Sequence, residues 1–335
     1  MKEKLNLTAR YANNKGFTLV ELMIALSVGL VLFAGVLSIF VGMRTTTAET
    51  SSYGELQENG RFAVSILTED LLRQSFWGDF SGEITQANIT VNVGAIANDC
   101  SGGGINNATL PQATGAFRNL WGQTVEPGSA DPLGCFGAVA NTQPRANSDI
   151  VQLKRVISQP IAPGNLNAGD VHLYANLDKG TIFSNNILPP LIPNGRYWQY
   201  QHHVYYVRER TVGDNTVPVL MQGRLANRRM DFTPVIDGIE VIRFMYGVDI
   251  NGDGDVDNYL NAANVPENAW DNTNNNSILA IKMFVLTRNI VPDSKYTNTN
   301  TYQLGDLSFT ANDNYRRLLF SSTVTLYNAS VSSWQ

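Results

Sequence analysis

The chain has 335 residues, 43% of them hydrophobic and only 16% charged, with a formal net charge of -5. That length allows one large domain or two small ones, and the weak acidity excludes a general nucleic-acid binder, because phosphate affinity needs clustered Lys and Arg. The two cysteines, Cys100 and Cys135, either form one disulfide in an oxidising compartment or stay two separate buried thiols.

In chain order, residues 1–16 form a basic leader in which Lys2, Lys4, Arg10 and Lys15 oppose the single acid Glu3. Residues 17–43 follow with no charge except Glu21, and Arg44 ends the run. This stretch is long enough to span a bilayer as a helix. The basic leader belongs on the cytoplasmic side, and everything after Arg44 on the other. Three readings compete: a secretory signal peptide, a plain signal anchor, and a prepilin. The run is too long for an ordinary signal peptide and lacks a small-residue cleavage site at its end. Glu21 separates the other two. A carboxylate inside a membrane segment is costly and is presumed functional. Its partner would be the amine created by cleavage before Phe17, supplied by a neighbouring subunit in a filament.

The segment Lys15-Gly16-Phe17-Thr18-Leu19-Val20-Glu21 resembles the type III signal of type IV prepilins. The resemblance implies that a prepilin peptidase cuts after Gly16 and methylates Phe17, and that Glu21 serves assembly. Small residues also recur at four-residue spacing, Ala25 and Gly29, then Ala34, Ser38 and Gly42. Such stripes let membrane helices approach closely, although small residues are common in membrane helices anyway.

Residues 45–75 continue as an amphipathic helix. Leu56, Ala63, Leu67 and Leu71 make the apolar face, with Phe62 and Ile66 alongside, and Glu55, Glu58, Arg61, Glu69, Asp70 and Arg73 fill the rest. The whole helix would have roughly 55 residues and a length of about 80 Å. After Trp77 the pattern shifts to short β-branched and aromatic runs at 89–93, 150–156, 204–207, 217–221, 239–248, 278–287 and 318–327, which read as antiparallel strands. The Asn-rich stretches 258–277 and 293–303 read as loops. The Gly- and Ala-rich stretch 81–146 holds both cysteines and reads as an insertion tied down by a disulfide.

Further landmarks resemble the PilW family of minor pilins. They are Leu56-Gln57-Glu58-Asn59-Gly60-Arg61-Phe62-Ala63, Ser148-Asp149-Ile150-Val151, Tyr246-Gly247-Val248-Asp249 and Tyr315-Arg316-Arg317-Leu318-Leu319-Phe320, with residues 323–328 after the last. The resemblance implies an α+β, type IV pilin-like fold. Residues 1–16 are the leader, 17–75 a membrane and amphipathic helix, and 76–335 an antiparallel β-rich head. It also implies a structural protein and no enzyme. The expected partners are the prepilin peptidase, other minor pilins, the major pilin and a PilY-type tip adhesin. The chain would start in the inner membrane with its head in the periplasm and end in the pilus, serving adhesion and twitching motility. A minor pseudopilin of type II secretion shares the same signal and is the alternative.

Residues 249–257 read Asp-Ile-Asn-Gly-Asp-Gly-Asp-Val-Asp, which puts Asp249, Asn251, Asp253, Asp255 and Asp257 at alternate positions, as in an EF-hand loop. Alternating oxygen side chains on a curled loop suit calcium. The twelfth position is Leu260, so the bidentate glutamate is missing, and a strand leads into the loop where an EF-hand has a helix. Asp271 or Glu267 could complete the shell. The other reading is a solvated acidic turn.

The remaining chemistry-bearing residues do not assemble into a known catalytic pattern. His202 and His203 are adjacent in a strand and point to opposite faces, an arrangement ill suited to a shared metal, and they read as surface and core strand residues. His172 is isolated in sequence. No nucleophile elbow, zinc-protease, P-loop or dinucleotide motif is present. The pairs Arg228-Arg229 and Arg316-Arg317 read as partners of surface carboxylates.

Overall fold

The computed structural model describes residues 16–137, 143–184, 188–213 and 215–330. Residues 1–15 of the expected leader lie outside them. The chain divides into two compact units, one ending at Tyr53 and the other beginning at Gly54.

Helix α1 runs Leu19–Leu72, 54 residues. Within the first unit its apolar side chains are exposed, from Leu19 at 78% to Met43 at 65%. Among the described residues it is the one helix long and apolar enough to cross a membrane, with mean hydropathy 2.7 in its most apolar window. The helix stops a few residues before the expected end at 75. Its last turn tightens through hydrogen bonds from Arg73 N to Asp70 O and from Gln74 N to Leu71 O, both 3.2 Å. Ser75 then takes a left-handed φ of 56°, and the chain turns away.

Among the described residues of the second unit, fourteen strands follow. They are β1 (Ile89–Asn92), β2 (Leu120–Thr124), β3 (Asp149–Val156), β4 (Val171–Ala175), β5 (Gly180–Ser184), β6 (Arg196–Val212), β7 (Asn215–Ala226), β8 (Arg229–Asp237), β9 (Ile239–Asp249), β10 (Asn258–Asn261), β11 (Ser277–Arg288), β12 (Thr301–Leu304), β13 (Leu307–Thr310) and β14 (Arg317–Thr325). Two one-turn helices, α2 (Glu267–Trp270) and α3 (Tyr327–Ser330), complete it. The first eight strands form one sheet in which β6 is the central member. It pairs β4 through residues 196–199, β3 through 200–205 and β7 through 203–212. The order β10-β9-β11-β14 makes a second, antiparallel sheet, and β12-β13 is a separate hairpin.

The main core lies where the second part of α1 meets both sheets. Leu56, Ala63, Leu67 and Leu71 are at most 1% exposed. The last three pack with Val151, Leu153, Tyr205 and Leu220 of the first sheet and Phe244, Ile281 and Val285 of the second. Each fully buried Leu contributes roughly 1.5–3 kcal/mol. Gly60 sits on this surface so tightly that a Cβ there would overlap the Phe320 ring of β14. The other face of the first sheet is covered too. Ile150, Val204, Tyr206, Val217 and Val219 pack with Cys100, Leu133, Cys135 and Phe136. Apart from β1 and β2, which belong to the sheet, the stretch read as an insertion thus supplies a cover for that face around Cys100 and Cys135, and strand β3 is buried along its whole length.

The head is β-rich and antiparallel as expected, with β1 and β5 as a parallel pair, Ile89 opposite Gly180. Two expectations need correction. The Asn-rich stretch 258–277 is not simply loop. It contains β10 and α2 because Ala262, Val265, Ala269 and Trp270 anchor it in the main core, while Asn272, Asn274 and Asn275 supply left-handed turns. The stretch 293–303 likewise ends in β12, whose Leu304 is fully buried.

Candidate functional site

The sequence points to two places, the start of α1 and the acidic loop. At the first, Thr18 occupies the position before the helix and Glu21 its third residue. Thr18 N donates to Glu21 Oε2 at 2.9 Å, and Glu21 N donates to Thr18 Oγ1 at 3.2 Å. The Thr18 hydroxyl also donates to Glu21 Oε2 at 2.9 Å. This is a reciprocal capping box, which satisfies amide donors that the helix start would otherwise leave bare. The spacing Thr-x-x-Glu before an apolar run carries that signal, and the sequence reading had assigned Glu21 to assembly alone. Phe17 is 87% exposed just ahead of the cap, with Gly16 preceding it. Gly29, Gly35 and Gly42 have open space at the Cβ position.

The acidic loop joins β9 to β10, with Asn258 paired to Val248 across the connection. Its first residue, Asp249, is 1% exposed. Its carboxylate accepts from the amides of Asn251 (3.1 Å), Gly252 (2.7 Å) and Gly254 (2.9 Å). Gly252 and Gly254 have φ of 78° and 86°, so the chain curls around that carboxylate as glycine permits. Asp253 accepts from Asp255 N at 2.9 Å and from Asn251 Nδ2 at 3.0 Å. Asp257 accepts from Ile250 N at 2.8 Å. The oxygens are thus held by the loop's own donors. Among the described residues, no three His, Cys, Asp or Glu side chains converge on a metal position. Of the two residues considered for the rest of the shell, Asp271 is engaged by Arg118 at 2.6 Å and Glu267 lies 3.8 Å from it.

Cys100 and Cys135 form the disulfide, with Cα atoms 4.8 Å apart. Gln152 of β3 donates to the Cys100 carbonyl at 3.0 Å, which ties the bridge to the sheet.

The histidines and the arginine pairs sit deeper than the sequence suggested. His202 and His203 are both buried, at 0% and 7% exposure, because both faces of their sheet are covered. His203 Nδ1 lies 2.5 Å from Asp70 of α1. Asp70 also receives Arg155 Nε at 2.8 Å and the Tyr205 hydroxyl at 2.9 Å. Burial pushes the Asp70 carboxyl up, but the His203 hydrogen bond, the charges of His203 and Arg155, and Tyr205 outweigh it and hold the pKa at about 2. Arg317 does not pair only at the surface. It meets buried Glu240 at 2.5 Å as well as Asp313 at 2.6 Å, and Glu240 also meets Arg288 at 3.3 Å. Arg229 keeps to the expected surface pattern, 3.2 Å from Asp231.

Residues 204–328 match the family model of type IV pilus-assembly protein W, and residues 11–37 match the prokaryotic N-terminal methylation motif. No curated protein and no solved structure matches the chain. The two matches bear out the resemblance read from the sequence. The first covers β7 to β14 and the Tyr246 and Tyr315 landmarks. The second covers Gly16, Phe17, Glu21 and the first part of α1.

Proposed function

We propose that this type IV pilus-related pilin is a minor pilin, which assembles with other minor pilins to prime fibre growth and stays at the pilus tip. The observation that carries the reading is the methylation motif at the head of an exposed apolar helix, followed by a β-rich head matching the pilus-assembly family. In this reading the helix holds the subunit in the inner membrane with its head in the periplasm, and later packs among other pilin helices. A prepilin peptidase removes residues 1–16 and methylates Phe17. Glu21 neutralises the new amine of a neighbour, and the tip carries a PilY-type adhesin. The chain acts by assembly and not by catalysis.

The capping box allows a sharp test of Glu21. Glutamine keeps the cap, since Glu and Gln both serve at that position, but it removes the charge. Glu21→Gln should therefore leave the helix start intact and abolish incorporation into fibres. Wild-type incorporation of that variant would reduce Glu21 to a capping residue. Mass spectrometry of fibres sheared from the cell surface tests the whole reading. A peptide starting at methylated Phe17 is expected in small amounts. Its confinement to the cell fraction, with loss of protein export on deletion, would assign the chain to type II secretion instead.

We also propose calcium for the acidic loop, through Asp249, Asn251, Asp253, Asp255 and Asp257. The oxygen donors and the two glycine turns support it. Binding would require Asp253 and Asp257 to exchange their backbone donors for the ion.

A further inference from the structure

The connection from β5 to β6 ends in Leu188-Pro189-Pro190-Leu191-Ile192-Pro193-Asn194-Gly195, a run without charge. Proline holds φ at about −65° and pushes the residue before it into the extended region. Leu188, Pro189 and Ile192 each precede a proline, so the chemistry of the run sets a polyproline II helix, which has three residues per turn and no internal hydrogen bonds. Burial follows that period. Pro189 and Ile192 are half-buried, while Leu188, Pro190, Leu191 and Pro193 are exposed. One edge therefore faces the head. Two edges face solvent, Pro190 with Pro193 and Leu188 with Leu191. Leu191 is 88% exposed and Leu188 51%.

The inward edge is fastened. Ile192 N donates to the Tyr174 hydroxyl at 3.2 Å, and that hydroxyl donates to Ile192 O at 3.1 Å. The buried Tyr174 ring stacks on Tyr197, with centroids 4.3 Å apart. Gly195 N donates to Ile192 O at 2.9 Å, and a Cβ on Gly195 would overlap the Tyr174 ring. Asn176 Nδ2 donates to Pro193 O at 3.3 Å, so the turn between β4 and β5, with its exposed Leu177, adjoins the run. The sheet thus holds an apolar ridge out into water, already in its extended form.

We infer that residues 188–193 are a docking ridge for a partner protein whose groove is lined by Trp and Tyr rings. Such rings pack against prolines spaced as Pro190 and Pro193 are, and their N–H and O–H groups donate to the backbone carbonyls that a polyproline II helix leaves unused internally. Leu191 would enter an apolar pocket beside them. The absence of charge in the run rules against docking through ion pairs. Because the ridge is held in place before the partner arrives, little ordering entropy remains to be lost on binding. The ridge lies outside residues 11–37 and 204–328, the two family matches, so the inference stands apart from the pilus reading.

The test is photo-crosslinking of the full-length chain in its native host, with Leu188→p-benzoylphenylalanine as the probe. The expected product is a crosslink to a different protein, mapped to a peptide that contains Trp or Tyr. Pro190→Ala with Pro193→Ala should lower its yield about tenfold, as loss of central contacts does. Leu191→Asp should do the same. Both changes fall on exposed side chains, so the melting temperature of the head should stay at the wild-type value, and whichever variant keeps it decides the matter. Replacing the crosslinked Trp or Tyr of the partner by Ala should also cost about tenfold. A crosslink to lipid or to a second copy of this chain overturns the inference. So does the absence of any crosslink, or a yield that the variants leave unchanged.

Discussion

The two parts of helix α1 use the same residue types for opposite ends. Leu32 is 65% exposed and Leu67 is fully buried. What differs is the company they keep. Around Leu67, the charges of Glu55, Glu58, Arg61, Glu69, Asp70 and Arg73 leave one apolar face, and that face is filled by the two sheets. Around Leu32 the helix is apolar on every side, the pattern of a segment whose surroundings are themselves apolar. The later part finds its partners within the chain. The earlier part has to find them outside, in lipid or in other helices.

That contrast can be broken most forcefully at Asp70. Replacing it with Asn leaves Arg155 buried without its counter-charge, and breaking a buried pair in this way typically costs about 3–5 kcal/mol. Denaturant unfolding of the detergent-solubilised chain should show a loss of that order in the head. Leu67→Ala should destabilise the head by about 2–5 kcal/mol through the cavity it leaves. Leu32→Ala, an identical change in the other part, should leave head stability unmoved. Equal effects would dissolve the distinction.

Acid sharpens the comparison further, because no carboxylate in the exposed stretch is buried as Asp70 is. Its folded pKa of about 2 lies below the unfolded value of 3.8. The stabilisation is therefore fully present above about pH 4 and is lost as pH falls through about 2, amounting to roughly 2 kcal/mol. Asp70→Asn should flatten that part of the stability profile. Calcium is the smallest effect expected. With a Kd of about 1 mM, the weak end of the extracellular range, about 10 mM calcium should stabilise the head by about 1.4 kcal/mol. Magnesium should do less, and Asp253→Ala with Asp255→Ala should erase the difference. No shift in melting temperature with calcium would leave the loop as a self-bonded turn.

Much of the fold was legible because it depends on local signals. The charge frame at Arg44 and the apolar spacing through Leu71 marked the helix and its two environments. The β-branched runs marked β3, β9, β11 and β14. The pairing of strands was not legible. β1 and β5 pair in parallel over a long separation, and nothing in either run encodes that partner. Burial was also misread at His203 and Arg317. Their partners, Asp70 and Glu240, stand 133 and 77 residues away, and polar residues in a strand look exposed until both sheet faces are known to be covered. At the candidate sites, the methylation signal was readable because it is contiguous. The Thr18 cap was equally readable from its spacing. The commitment of Asp271 to Arg118 was not, because it is set by tertiary packing alone.

The position of Asp70 has a mechanical meaning. Any tension along the later part of α1 is met by Leu56, Ala63, Leu67 and Leu71, which follow one another along the helix, and by the ionic clasp of Asp70 near its far end. Drawing the helix out lengthwise must shear these contacts together, whereas peeling it sideways would part them one by one. The later part of α1 is thus held most strongly against a pull along its own axis.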